Sequence, residues 1–147
     1  MTNLKEALFQ QCVAHVNTRL QTIISSHQKA LSSETKSSAG DKHETGRAML
    51  QLEMEKAGQQ LASVQQMQQT LARVAITKSS TSVRLGTIIE TSSIHYFLSV
   101  SAGKLTVNQT TYFAISASSP IGQLLVGKQA GDIFQWNGKE IKINNVL

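Results

Sequence analysis

Cysteine and proline occur once each in this 147-residue chain, as Cys12 and Pro120. A single thiol excludes an internal disulfide and a cysteine-built zinc cage, and it suits a reducing cytoplasm. Aromatic residues make up only 5% of the chain, too few for the interleaved stacking platforms of a single-strand nucleic-acid binder. No run approaches the roughly 18–20 consecutive apolar residues that a membrane span needs, so no membrane partner is expected. The opening Met1-Thr2-Asn3-Leu4-Lys5-Glu6 lacks the charged-then-apolar order of a signal peptide, which predicts a cytoplasmic protein. Acidic residues are also scarce, 9 against 14 basic ones, for a net charge of +5. That excess is spread evenly: 8 basic and 6 acidic side chains in residues 1–75, 6 and 3 in residues 76–147. With no dense Lys/Arg stripe, direct tight binding to nucleic acid is not expected, although a mild attraction to a polyanionic assembly is allowed.

What is there divides by period near residue 78. Phe9, Val16, Ile23 and Ala30 lie seven apart; Val13 and Leu20 fill the alternate positions, and His27 takes the next one. A second series holds Leu50, Ala57, Val64 and Leu71, with Met54 and Leu61 between them. This three-four alternation is a coiled-coil seam. A lone helix of about four heptads is marginal in water, so the two segments are predicted to fold back as an antiparallel hairpin over residues 1–77, with arms roughly 40–45 Å long. The polar stretch Ser32 to Asp41 marks its turn. Gly58 costs about 1 kcal/mol inside the second helix, whose many glutamines read as a solvated face.

Beyond Lys78 to Ser82 come short β-branched and aromatic runs: Arg84–Glu90, Ile94–Val100, Lys104–Val107 and Thr111–Ser116. Ala102-Gly103 and Asn108-Gln109 read as turns. Asn137-Gly138 is the strongest hairpin signal, joining Ile133–Trp136 to Glu140–Ile143. One short helix interrupts the strands, with Ser119 as its cap, Pro120 in its first turn and Gly127 at its end. The fold class is therefore α+β: a helical hairpin, then a small antiparallel sheet with one short helix over residues 78–147.

Two segments and the order of the domains resemble the GreA/GreB transcript-cleavage factors. Ala114 to Asp132 follows their C-terminal pattern of strand, Ser-Pro-aliphatic, short helix ending Leu-aliphatic-Gly-Lys, and Gly-Asp before the next strand. Gly40-Asp41-Lys42-His43-Glu44 looks like the family's Gly-Asp-x-x-Glu hairpin tip, and the order of hairpin and sheet domain agrees across nearly the whole chain. The resemblance implies an FKBP-like second domain and RNA polymerase as partner. In that scheme the hairpin enters the polymerase's secondary channel, where Asp41 and Glu44 help hold a catalytic Mg²⁺ in trans beside the 3′ end of backtracked RNA. Lys42, His43 and Arg47 would meet that RNA or the channel wall, and Ser118, Ser119, Pro120, Ile121 and Gly122 would dock on the polymerase. The factor would be a monomer with no cofactor of its own and no enzymatic activity apart from the polymerase. Where the family continues with Asn-Ala-Glu-Tyr or similar, this chain has Thr45-Gly46-Arg47-Ala48-Met49. That keeps open a modulator or inhibitor of polymerase with no cleavage activity.

The residues themselves allow plainer readings. Asp41 and Glu44, three apart, share one face of a helical turn, and two carboxylates alone make a poor site for Mg²⁺, which wants about six oxygens. Delivered beside a metal held by another protein, they can complete its shell and orient a water. The same spacing is that of a capping box at the start of the second helix. His27 reads as a seam residue, Cys12 as an unreactive thiol and Trp136 as hairpin packing. A prolyl isomerase would need an aromatic-lined pocket from Tyr96, Phe97, Tyr112, Phe113, Phe134 and Trp136. A structural coiled-coil adaptor is the remaining class.

Overall fold

The computed structural model describes residues 2–36 and 43–147, and side chains over 4–31 and 46–147. Two long helices, α1 (Thr2–Lys36) and α2 (His43–Arg73), precede six strands and one short helix: β1 (Ile88–Thr91), β2 (His95–Ser99), β3 (Gly103–Val107), β4 (Thr110–Ser116), α3 (Pro120–Leu125), β5 (Ile133–Trp136) and β6 (Lys139–Val146). The α+β layout is as expected. The chain forms two compact units, Val16–Gln68 and a second made of Met1–His15 with Gln69–Leu147.

In the helical unit the seam buries Val16 and Ile23 on α1 with Ala57 and Val64 on α2. Ile23, His27 and Leu31 share a cleft with Met54, Ala57 and Leu61, so late α1 faces early α2 and the pair is antiparallel. The seam weakens towards the connection. Met54, predicted to fill it, is 48% exposed, and Leu52 and Met49 are more exposed still. Side chains as small as Ala57 and Gly58 do not bridge an interaxial distance of about 8–10 Å, and the cleft beside them stays partly open. Gly58 nonetheless lies within the unbroken helix.

The sheet runs β3-β4-β2-β1-β6-β5. It is antiparallel except at its centre, where β2 and β4 are parallel, with His95 opposite Tyr112 and Phe97 opposite Ala114. The chain leaves β2 and skips one position to lay down the edge strand β3. It then returns through a tight turn so that β4 enters the gap in the same direction as β2. Both two-residue turns have left-handed backbones: Asn108 and Gln109 at φ 51° and 68°, Asn137 and Gly138 at 53° and 76°, as the twist of a hairpin requires. Two strand bounds differ from expectation by more than one residue. The β1 strand starts at Ile88 rather than Arg84 because Arg84–Thr87 is a turn: the Arg84 carbonyl accepts from Thr87 N at 3.0 Å and from Thr87 Oγ1 at 2.8 Å, and Gly86 takes φ 93°. The β6 strand runs on to Val146 because its second half pairs with β1 after its first half has paired with β5.

Alternation gives this sheet two faces. On one, Ile89, Tyr96, Leu98, Ile141 and Ile143 pack with Ile121 and Leu125 of α3. Ile88, Phe97 and Ser99 lie on the other face, fully enclosed, where the first turns of α1 meet the sheet. Cys12 Sγ lies 3.4 Å from Ser99 Oγ, and Gln11 Nε2 donates to the Thr106 carbonyl at 2.9 Å. Leu8 and Cys12 are both 0% exposed. Residues 96–100 are therefore buried without a break, the mark of a strand covered on both sides.

Two substitutions test this arrangement by urea unfolding. Leu8→Ala should cost about 2–5 kcal/mol, the range for emptying a packed leucine site; a loss below about 1 kcal/mol would mean that α1 does not seal the sheet. Gln109→Gly should raise stability by about 0.5–1 kcal/mol, because relief of a left-handed non-glycine residue outweighs the added entropy of glycine.

Candidate functional site

The loop from Ser116 to Gly122 is organised by one side chain. Ser119, at φ −68° and ψ 157°, caps α3: its Oγ accepts from Gly122 N at 3.1 Å and donates to the Ser116 carbonyl at 2.6 Å. Pro120 follows at the first helical position, where its missing N–H is no loss. Gly122 is there for want of space, since a Cβ would overlap the Ser116 carbonyl oxygen. The helix ends at Val126, with Gly127 beyond it at φ 86°.

This geometry sorts the five residues expected to dock. Ile121 is 8% exposed and packs into the core, and Gly122 is buried with it. Ser119 is engaged as the cap. Ser118 and Pro120 are exposed, and Ser118 Oγ lies 3.2 Å from Ser116 Oγ. Leu124 and Val126, at the same helix, are 38% and 47% exposed. They add apolar surface that the motif did not single out; the signal was available, because α3 has room to bury only one stripe, Ile121 and Leu125.

Of the expected tip residues, Asp41 and Lys42 lie outside the described residues. His43 and Glu44 are the first two residues of α2, and their side chains also lie outside the description. Arg47 is exposed on α2. Among the described residues no group of three His, Cys, Asp or Glu side chains is placed to hold a metal, and no helix is long and apolar enough to cross a membrane.

Other residues singled out by sequence take packing positions. His27 is half-buried in the interhelical cleft, with Nδ1 buried and without a partner. Cys12 is enclosed, and its thiol pKa is pushed up by burial, opposed by the Ser99 hydrogen bond; a thiol held protonated is a weak nucleophile. Tyr96, Phe97, Tyr112 and Phe134 are buried, while Phe113 and Trp136 pack half-buried against the α3-side core. Burial raises the pKa of both tyrosines, with Glu90 adding to the effect at Tyr112.

No family model matches the chain, and no curated protein matches it.

The two roles of the 119–122 segment separate by stability. Ser119→Ala should cost about 1 kcal/mol, as for other capping serines. Gly122→Ala should cost about 3 kcal/mol, the upper end of overpacking, because the obstacle is backbone. Equal midpoints for Gly122→Ala and the parent protein in urea would show that α3 does not sit over the Ser116 carbonyl.

Proposed function

We propose that this protein is an accessory factor of bacterial RNA polymerase that acts in the cytoplasm on backtracked elongation complexes. The observation that carries this reading is the position of an acidic pair. Asp41 falls in sequence between the end of α1 and the start of α2, and Glu44 is the second residue of α2. The pair thus belongs to the connection of a two-helix hairpin whose helices contain 35 and 31 residues, roughly 52 and 46 Å long. The capped, proline-started α3 supports the reading further, because the Ser-Pro-aliphatic pattern shared with the GreA/GreB factors occupies a helix start, and Ser118 and Pro120 remain exposed for contact.

In this mechanism the polymerase owns the metal and the RNA. The hairpin would carry Asp41 and Glu44 through the secondary channel, where their carboxylates would help hold a Mg²⁺ at the polymerase active site. That ion would supply activation of a water for hydrolysis of the backtracked RNA. Lys42, His43 and Arg47 would face that RNA or the channel wall, where a positive charge favours phosphate. The residues after Glu44 favour a second reading in which the factor occupies the channel and restrains the polymerase without cleavage.

Stalled complexes carrying end-labelled, backtracked RNA distinguish the two. The parent protein should shorten the RNA, and Asp41→Asn or Glu44→Gln should slow that step by about tenfold or more while polymerase binding persists. Binding and inhibition without shortening would establish the modulator instead. Failure to bind polymerase at all would remove both readings.

A further inference from the structure

The sheet's unit contains a cleft of about 420 Å³, within the usual range for small-molecule sites of roughly 300–1,000 Å³. Its walls are mostly apolar: Leu4 from α1, Ile76 from the segment after α2, Ile88 from β1, and Val146 from β6. The polar exceptions include two cations, Lys5 and Lys78, and no acidic side chain lines it among the described residues.

Lys5 is an unusual wall residue because it is only 7% exposed. Its position follows from helical spacing: Lys5, Leu8 and Cys12 form one stripe of α1, and the stripe is buried. The ammonium donates to the Lys78 carbonyl at 2.9 Å, which uses one of its three donors. Burial lowers its pKa, and the nearby Arg84 guanidinium lowers it further. A buried cation with a second cation for a neighbour is an electrostatic deficit that an anion relieves.

We propose that this cleft binds a medium-chain fatty carboxylate, with the carboxylate on Lys5 and the alkyl chain along Leu4, Ile76, Ile88 and Val146. Charge selects the headgroup: the buried Lys5 ammonium, with the exposed Lys78 and Arg84 near it, rejects an ammonium and favours a carboxylate over a neutral alcohol. The apolar walls select the tail, since each methylene taken from water is worth about threefold to fourfold in affinity. The site is independent of Asp41 and Glu44, and its test needs neither polymerase nor RNA.

Hexanoate, octanoate, decanoate, decanol and decyltrimethylammonium are titrated into the full chain, with binding read by calorimetry and by methyl NMR shifts. Decanoate should bind at least about tenfold tighter than decanol, and affinity should climb about threefold per methylene from hexanoate to decanoate. Methyl shifts should concentrate at Ile76, Ile88 and Val146. Lys5→Met, which keeps the apolar stem, should erase the preference for decanoate over decanol, and Arg84→Gln, at the exposed cation whose charge acts on Lys5, should weaken decanoate about threefold. If Lys5→Met does not fold, the parent protein's decanoate-to-decanol ratio together with Arg84→Gln decides. Equal binding of decanoate and decanol, no dependence on chain length, or shifts centred on Leu31, Leu52 and Met54 would each overturn the proposal. So would tighter binding of the peptide acetyl-Leu-Val-Leu than of decanoate, which would assign the cleft to a protein tail.

Discussion

Enclosure of the sheet on both faces is the constraint on which the rest of this structure depends. A six-stranded sheet built from so few residues cannot leave Ile88, Phe97 and Ser99 against water: Phe97 alone exposes an aromatic face whose burial is worth roughly 2–3 kcal/mol. With only the six residues of α3 available between the strands, and these already on one face, the second cover has to come from the start of the chain. Leu8 and Cys12 supply it, and both are wholly buried. The first turns of α1 therefore belong to the sheet's unit although they precede it by some seventy residues. Such distant contacts demand a large loop-closure entropy before they stabilise anything; the meeting of Cys12 with Ser99 is one of them.

Enclosure also explains why polar groups appear where they do. A thiol and a hydroxyl, Cys12 and Ser99, meet at 3.4 Å in an otherwise apolar layer, and each satisfies the other. Lys5, two turns earlier on the same stripe, finds a backbone carbonyl instead. Its place on the buried face is dictated by the helical period and not by its charge, so the cost of burying it is set by what the neighbouring elements offer.

What was legible in the sequence was local. Asn137-Gly138 and Asn108-Gln109 announce two-residue turns because few residues tolerate left-handed backbone. Ser119-Pro120 announces a helix start because one residue accepts an N–H and the next lacks one. The heptad positions Val16, Ile23, Ala57 and Val64 were legible for the same reason, since a 3.5-residue period has one packing solution. Non-local consequences were not. Nothing near β2 says that its next neighbour in space is β4 and runs parallel to it. The unbroken run Tyr96-Phe97-Leu98 did carry the message of double burial, yet it does not say which element forms the second cover. Leu8 and Cys12 lie off the strict seam through Phe9 and Val16, so a heptad reading passes over them. Met54 shows the converse: a position can have seam spacing and still face solvent when its neighbours are too small to close the gap.

The same distinction between local and distant bears on how much function a short motif can carry. In the 118–122 segment, Ser119, Ile121 and Gly122 are each accounted for by the fold: a cap, a core side chain, and a close approach to a carbonyl. A chain that places a six-residue helix after a strand in this way needs a capping residue, a core side chain and a glycine at those places, whatever it binds. A likeness built on them attests a shared way of starting a helix. The residues free to report on a partner are the ones the fold does not require, Ser118 and Pro120 on the surface with Leu124 and Val126 beside them. At the start of α2 the logic reverses. A capping box accounts for one carboxylate at the start of α2 and a partner residue three positions on, and Ser, Thr or Asn would serve the first role as well as Asp. The choice of two full carboxylates, in a chain with only nine acidic residues, is what a cap does not demand, and the proposed metal-directed role rests on that choice.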